Sequence, residues 1–511
     1  MSEPAGSPGA PGASGGPVLA PARSRVDRAV AWVSAASSII GLLDVVAVVL
    51  LNAFFVSDKQ LGVATIVTTV TYYLDLATES GMSSVLIQRD KLDDDTVSTV
   101  WWMNLGVSSL LFAAMFVIAP AFGRFQGKTP FEVHIVTMML LMFATKLVWQ
   151  NVYFAPMALL RRELRFKEVS IVRTIANACD MATKIGFAAA GQPIYCFIAG
   201  PLVRALVIGI GIQICRPWRP RLVFRPGEVR TWLAFGAKTT ASQYLQHFYN
   251  TNSFQVVGHY FSASTVGAYR VAHDVVMYPV NFISNVIAQV SFPAFARLRG
   301  DRGALAAQFL RFSRQNLAVV LPVLVVILAG ADDVITVIFP KITQSGAGAG
   351  VARVLCIVGM LRAIDCLYLP LLEGVGMPGR NVVVAAMTAG VLFTCDLIGA
   401  TVFGPRIGLI AVAIGRVVGY PIVIAFHAYL ALGQAQLKVR HYIGGLIGIL
   451  GCGALAVAVG LAIRYGTAPV LTPGWRLLAV TVGAVGTVMI ALDRFQGLGV
   501  RTIVATLKTK S

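Results

Sequence analysis

The chain has 511 residues, of which 57% are hydrophobic and only 13% are charged, and its formal net charge is +19. A soluble chain carries about 25% charged residues, so this composition excludes an ordinary soluble enzyme. Apolar runs of 18 residues or more recur along the whole sequence. Each run is long enough to cross a hydrocarbon core about 30 Å thick as a helix, which predicts an all-α polytopic membrane protein.

The first 28 residues are rich in Pro, Gly, Ala and Ser, and they predict a disordered tail rather than a signal peptide. Residues 493–511 form a second predicted tail. Between the tails, the apolar runs predict about fourteen transmembrane helices near 29–55, 61–87, 97–121, 133–159, 169–190, 194–215, 232–258, 267–293, 316–338, 349–374, 380–402, 407–432, 441–464 and 475–492.

The distribution of Lys and Arg between the connecting loops predicts the orientation of the chain. With the N-terminus inside, the inner loops hold about 26 Lys and Arg against about 7 in the outer loops. Basic loops stay on the cytoplasmic side, so both termini are expected in the cytoplasm. The chain is expected in the inner membrane of a bacterium. The same argument explains the net charge without a nucleic-acid partner.

The seven cysteines lie in or at the ends of apolar segments, without CxxC pairs or the spacing of metal ligands. Such residues are expected to pack as small apolar side chains without disulfides.

A short internal repeat divides the chain. The segment from Phe55 to Val63 (FVSDKQLGV) joins the first two spans, and the segment from Tyr260 to Ala268 (YFSASTVGA) joins spans seven and eight about 205 residues later. Because six helices separate the copies, both copies face the same way. The repeat predicts two pseudo-symmetric six-helix lobes at 29–215 and 216–432, followed by two extra helices at 433–492.

Polar residues recur on the first two helices of each predicted lobe. In span seven, Thr239, Gln243, Gln246, Asn250 and Ser253 are spaced four and three apart, which puts them on one helical face. Spans one, two and eight carry similar polar residues. Such stripes are costly against lipid, so they are expected to face either another helix or a hydrated cavity between the lobes.

The intramembrane charges fall into two groups. Arg270 and Asp274, Asp180 and Lys184, and Arg362 and Asp365 stand three or four residues apart, so each pair either neutralises itself or serves a substrate. Lys146, Arg204 and Arg416 have no acid within a helical turn of their own helix. These lone cations are expected to face an anionic ligand or a partner on another helix. Asp44, Asp75, Glu79 and Glu373 are the complementary acids.

Catalytic motifs are not found in the sequence. It contains no GxxxxGK[ST], HExxH or GxSxG, and no predicted outer loop exceeds about 15 residues. We therefore expect a protein that is not an enzyme and has no built-in ATPase.

Several segments resemble the polysaccharide transporter branch of the MOP superfamily, the Wzx-like flippases of lipid-linked oligosaccharides. They include SSVLIQR followed by STVWWMNL, LLRRELRFKEVSIV, YFSASTVGAYRVAHD and LLEGVGMPGRNV, and the resemblance spans roughly residues 28–430. It implies a MATE-like architecture of two lobes around a V-shaped, often cationic cavity, walled by helices one, two, seven and eight.

The resemblance also implies transport of undecaprenyl-pyrophosphate-linked repeat units across the inner membrane by alternating access, for exopolysaccharide or another surface polysaccharide. Polysaccharide polymerase or export machinery and membrane lipids are the implied partners. No cofactor is expected, and coupling to an H⁺ or Na⁺ gradient is implied.

On this hypothesis, the substrate cavity is predicted to contain anion contacts at Lys146, Lys184, Arg204, Lys238, Arg270 and Arg416 and sugar contacts at Gln243, Gln246 and Asn250. Gating or ion coupling is predicted at Asp75, Glu79 and Asp274. The alternatives are a lipid II flippase, a multidrug/cation antiporter, a membrane glycosyltransferase, polymerase or ligase, and a non-transporting scaffold. An antiporter would favour an acid-lined cavity, and a glycosyltransferase would need a large periplasmic loop.

Overall fold

The computed structural model describes residues 40–499 apart from 42, 45, 48, 89–92, 164, 341–346 and 378. At 79–85, 87–88, 226–239 and 347 it describes the backbone alone. The predicted tail at 1–28 lies outside the described residues, as does most of the tail at 493–511. In the part of the chain that the structure describes, every regular element is a helix.

The helices follow the predicted spans in order. The first, α1, is described within residues 40–54. The next seven are α2 (Asp58–Gln88), α3 (Asp94–Gln126), α4 (Pro130–Trp149), α5 (Asn151–Arg162), α6 (Phe166–Ala189), α7 (Cys196–Cys215) and α8 (Pro226–Tyr260). They are followed by α9 (Ala263–Arg297), α10 (Arg302–Ile338), α11 (Ala347–Asp365), α12 (Tyr368–Gly374), α13 (Arg380–Ile398), a π-helical turn (Gly399–Phe403), α14 (Gly404–Ile407), α15 (Ile410–Ala435), α16 (Val439–Thr467) and α17 (Pro473–Gln496).

Eleven helices in the described residues are long and apolar enough to cross a membrane. The other three predicted spans coincide with α1, which is described only in part, and with α6 and α8. The 24 residues of α6 and the 35 residues of α8 are long enough, but both helices carry many polar residues. The chain is therefore a multi-pass membrane protein, and the count of fourteen spans stays a prediction.

The predicted fourth span is divided between α4 and α5. Asn151 begins α5, and its side-chain amide donates to the carbonyls of Leu147 and Val148 at 3.2 Å. These carbonyls lie in the last turn of α4, and that of Val148 also accepts from the backbone N–H of Gln150. The amide therefore adds a side-chain donor where the two helices join.

The helices pack in two groups and a C-terminal pair. Helices α2–α7 contact one another, as do α8–α15, and the two groups meet chiefly where α2 lies against α8 and α9. We call α1–α7 the N half and α8–α15 the C half. Helices α16 and α17 pack on each other and on α10. Asp333 of α10, with 1% of its side chain exposed, pairs with Arg464 and Arg476, and these ion pairs hold both C-terminal helices.

The repeated segments contact each other reciprocally at the N-terminal ends of α2 and α9. A Cβ atom at Gly62 would lie 1.7 Å from the carbonyl oxygen of Ala263, and one at Gly267 would lie 2.0 Å from that of Asp58. Asp58 and Ala263 occupy equivalent positions in the two copies of the repeat. Since only glycine permits so close a backbone approach, the repeat explains why both positions are glycine.

Candidate binding cavity

A cavity of about 290 Å³ lies among helices of both halves. Helices α1, α2, α6 and α7 line it from the N half, and α9 lines it from the C half. Its polar lining residues are Asp44, Asn52, Thr65, Thr68, Lys184, Arg270, Asp274 and Tyr278. The cavity therefore brings charged groups from both halves into the interior of a membrane protein.

Three charged side chains on α6 and α7 form a cluster at the cavity, which we call the N-half cluster. Lys184 pairs with Asp180 at 2.9 Å, one turn earlier on α6, and Arg204 of α7 approaches the same carboxylate at 3.7 Å. Asp180 is buried, whereas 20% of the Lys184 side chain and 35% of the Arg204 side chain are exposed. The predicted local pair therefore exists, but it carries a second cation and stays accessible to water.

Close packing holds this cluster in place. Gly200 of α7 lies so near α6 that a Cβ atom there would be 2.1 Å from the Asp180 carboxylate and 2.8 Å from the Lys184 side chain. Arg204 also donates to the amide oxygen of Asn177 at 3.4 Å. Glycine at position 200 therefore lets the acid lie between two helices, within reach of both cations.

Arg270 and Asp274 supply the charges from the C half. They form an ion pair one turn apart on α9, and His273 contacts the other carboxylate oxygen at 3.2 Å. The Arg270 guanidinium also lies over the Phe254 ring, 5.2 Å from its centroid, a favourable cation–π geometry. The ring and the carboxylate together orient Arg270 at the cavity wall.

The charges that line the cavity are balanced. Asp44 and Asp274 oppose Lys184 and Arg270, whereas the family resemblance implies an often cationic cavity. Asp44 is exposed and has no ion pair among the described residues. Across the described ranges, no three metal-ligating side chains converge on a point. The polar lining of the cavity suits a polar ligand with an anionic group, provided that the carboxylate of Asp44 or Asp274 is displaced or neutralised.

Lys146 and Asp75 lie elsewhere, within the N half. Lys146 of α4 contacts both carboxylate oxygens of Asp75 on α2, at 2.9 and 2.7 Å. Gln150 donates to the same carboxylate at 2.7 Å and accepts from Thr78 at 2.7 Å. Lys146 therefore has the partner on another helix that the sequence left open, and neither charge lines the cavity.

Arg416 is sealed inside the C half and is not a free cation. Its guanidinium contacts Asp396 of α13 at 3.1 and 3.2 Å, and it donates to the Asn252 side chain at 2.7 Å. The Arg416 side chain is 2% exposed and that of Asp396 is 0% exposed. Of the two expectations for Arg416, an anionic ligand or a partner on another helix, the structure shows the partner, which is Asp396, 20 residues away on a neighbouring helix. We call these two residues the C-half pair.

The polar face of α8 does not line this cavity in the described residues. Gln243 and Gln246 are partly exposed, and Asn250 accepts from Arg362 of α11 at 2.8 Å. An adjacent face of α8 packs on α2, where His247 contacts the Thr69 carbonyl at 3.1 Å and Gln255 donates to the Ile66 carbonyl at 3.2 Å. Much of the polarity of α8 therefore serves contacts between helices.

Of the remaining predicted site residues, Lys238 and Glu79 have side chains outside the described residues. Lys184, Arg270 and Asp274 line the cavity, and Arg204 lies beside it through Asp180. The sequence reasoning did not select Tyr278, and it named Asp44 only as a complementary acid. Spacing of four residues from Asp274 was the one signal that could have indicated Tyr278.

Comparison with known proteins places the chain among polysaccharide biosynthesis proteins. The chain is 24% identical over 400 residues to the lipopolysaccharide biosynthesis protein WzxC of Escherichia coli, covering 77% of each chain. It is 24% identical to the teichuronic acid biosynthesis protein TuaB of Bacillus subtilis, covering 58% of this chain and 60% of that one. It is 25% identical to the succinoglycan biosynthesis transport protein ExoT of Rhizobium meliloti, covering 63% and 64%.

Two solved structures share the fold. The lipid II flippase MurJ in an inward closed conformation superposes with a TM-score of 0.73 at 14% identity, covering 92% of this chain and 99% of that one. An inward-facing multidrug resistance MATE transporter of the MOP superfamily gives 0.63 at 16% identity, covering 78% and 94%. The predicted all-α MOP fold is thereby confirmed.

The names of ExoT and of both structural neighbours are those of transporters, in agreement with the prediction of a transporter rather than an enzyme. The family described as "Polysaccharide biosynthesis protein" matches residues 52–341, which is more than half of the chain. The match includes the repeat, the cavity-lining part of α9 and the N-half cluster. The chain belongs to the polysaccharide biosynthesis protein family and has the MOP fold.

Proposed function

We propose that the chain carries a polyprenyl-pyrophosphate-linked oligosaccharide from the inner to the outer leaflet of the bacterial inner membrane, by alternating access of its two halves. The observation that carries this proposal is the cavity between the halves, where Lys184 and Arg270 face one space from opposite sides. A diphosphate and its sugars cannot cross hydrocarbon alone, because burying their charge and hydroxyls without partners is costly. Cations and hydroxyls in such a cavity replace the water that these groups lose.

The balanced charge of the cavity supports coupling to a cation. An anionic headgroup at Arg270 competes with the paired carboxylate of Asp274, and one in the cavity is also repelled by the unpaired carboxylate of Asp44. Uptake of a proton or a sodium ion by one of these carboxylates would leave the cavity with net positive charge. The headgroup and the coupling ion would then bind together, with H⁺ and Na⁺ as the two candidates.

The test is transport of the lipid-linked oligosaccharide with Arg270→Ala. Deletion of the gene is expected to accumulate the oligosaccharide lipid in the inner leaflet and to stop polymer export, and the wild-type gene is expected to restore export. Arg270→Ala should fail to restore it at normal protein levels, whereas Arg440→Ala, at an exposed position on α16, should restore it. Export by the Arg270→Ala protein at the wild-type rate would remove Arg270 from the site.

A second candidate is the flipping of lipid II, since MurJ has the higher TM-score of the two neighbours described above. Complementation distinguishes the two functions. A lipid II flippase would rescue a cell depleted of its own lipid II flippase, and a surface-polysaccharide flippase would not. We expect no rescue, because WzxC, TuaB and ExoT are all named for surface polysaccharides.

A further inference from the structure

One continuous ridge of α9 changes from charged to apolar. Residues four apart on a helix stand next to each other and form an inclined ridge. From the cavity outwards, the ridge carries Arg270, Asp274, Tyr278, Phe282, Val286 and Val290. The first three line the polar cavity, and the last three line a separate apolar groove.

The ridge stays exposed from the cavity to the groove. Tyr278 is 45% exposed, Phe282 67% and Val286 46%. On the opposite side of the same stretch of α9, Val276 and Val280 are buried at 0% and 1%. The exposed strip therefore leads out of the cavity without an intervening packed contact.

The groove has a volume of about 180 Å³ and lies between α9 and α10. Phe312 and Val319 of α10 form its second wall, and Gln315 is its one polar lining residue. Aromatic and branched side chains of this kind offer apolar contact along the path and few polar groups that a hydrocarbon chain would leave without partners.

We propose that the isoprenoid chain of the lipid carrier lies along this ridge and in this groove, while its diphosphate occupies the polar cavity. The inference rests on the proposed function. From Asp274 to Val290 the helix rises about 24 Å, so one face of α9 serves both ends of an amphiphile. A bilayer lipid could fill any exposed apolar face, but one exposed ridge of α9 joins this groove to the charged cavity.

Photocross-linking tests the occupant. A benzophenone amino acid replaces Val286 in the groove, Thr68 in the cavity or Val482, which is 66% exposed on α17. The full-length protein in vesicles receives a radiolabelled polyprenyl-pyrophosphate disaccharide. We expect at least fivefold more labelling at position 286 than at 482, and competition by unlabelled polyprenyl pyrophosphate but not by phosphatidylglycerol.

The outcomes separate this inference from the proposed function. Labelling at 68 with equal labelling at 286 and 482 would overturn the groove and keep the transported lipid. No labelling at 68 or at 286 would overturn both. Competition by phosphatidylglycerol at 286 would assign the groove to bulk lipid and would also overturn the inference.

Filling the groove gives a second readout. Val286→Trp should lower export at least tenfold at normal protein levels, because indole fills the path of the chain. Val482→Trp, the matched change on α17, should leave export within twofold of wild type. Equal export by the two variants would contradict a role for the groove.

Discussion

Each half of the molecule carries an aspartate and an arginine on its last two long helices, α6 and α7 in the N half and α13 and α15 in the C half, but the two sites differ in exposure. In the N-half cluster, Arg204 is 35% exposed, and Lys184 adds a second cation. In the C-half pair, Arg416 is 2% exposed, and the residue four positions after Asp396 is Ala400 rather than a second cation. Similar chemistry therefore produces an accessible charged site in one half and a sealed ion pair in the other.

The difference between the halves has a local cause on their first helices. The amide oxygen of Asn252 on α8 accepts a hydrogen bond from Arg416, whereas the register of the repeat places Ala47 of α1 at the corresponding point. Ala47 lines the cavity. In the N half, the short side chain of Ala47 leaves space, and the charged cluster stays accessible. In the C half, the longer amide of Asn252 fills that space. A sealed pair cannot exchange its partner for a ligand, while a hydrated one can.

The largest expected effect comes from breaking the sealed pair. Asp396→Asn leaves Arg416 as an uncompensated buried charge, which should cost about 3–5 kcal/mol of stability. Thermal unfolding of the purified protein in detergent measures the loss. The matched change Asp180→Asn should cost less, since water reaches Lys184 and Arg204. Equal losses would refute the contrast between the halves. The double variant Asp396→Leu with Arg416→Met should recover stability.

The reciprocal glycine contact is where the halves are alike, so equivalent changes should have equal effects. Gly62→Ala and Gly267→Ala each place a methyl group against a backbone carbonyl, which should disfavour this conformation by about 1–3 kcal/mol. Spin-label distances between positions 57 and 262 report the separation of α2 and α9. Gly466→Ala, which meets no atom within 4 Å, is the control. An unchanged distance distribution in both variants would contradict the prediction.

A third change tests whether the accessible cluster serves transport. Lys184→Gln should lower export about tenfold, equivalent to about 1.4 kcal/mol, with normal protein levels. The reason is that it removes the second cation that distinguishes the N half. Polymer secretion in the complemented deletion strain is the measurement, with Arg440→Gln as the control. A stability loss without a transport defect would make the cluster structural, like its C-half counterpart.

The smallest effect is expected at residues 216–225, which connect α7 of the N half to α8 of the C half and contact the start of α3. Arg225 pairs with Asp93 at 2.9 Å and also with Asp95, and Arg221 pairs with Asp94 at 2.8 Å. A hydrogen bond from Thr96 is the largest cause that holds the pKa of Asp93 below its ordinary value, and the charge of Arg225 also contributes. These exposed pairs are weak and are screened by salt.

Because the pKa of Asp93 is lowered, its contribution is complete above the unfolded-state pKa of about 3.9 and is lost as pH falls through the lower folded-state pKa. A spin label at Leu222, which is 90% exposed, should become more mobile as pH falls through the lowered pKa of Asp93. Asp93→Asn should show the higher mobility already at neutral pH. The same mobility in wild type and variant at neutral pH would exclude the pairing as a restraint.

Hydropathy in the sequence indicated the membrane, the helical class and the order of the helices, because a bilayer permits few backbone solutions. The repeat around Gly62 and Gly267 predicted two six-helix lobes, whereas the contact of α2 with α9 at these glycines came from the structure. The pairs Asp180 with Lys184 and Arg270 with Asp274 were also predictable, since they stand one turn apart. Residues at that spacing share a helical face whatever the tertiary structure does.

Only the tertiary structure decided which charges are available to a ligand. Asp75 lies 71 residues before Lys146, and Asp396 lies 20 residues before Arg416, so no periodicity within one helix could join them. Among the described residues, the polar face of α8 lies outside the cavity lining, and an exposed ridge of α9 extends from the cavity to the apolar groove. Burial depends on which helices meet, and that depends on packing across the whole chain rather than on local spacing.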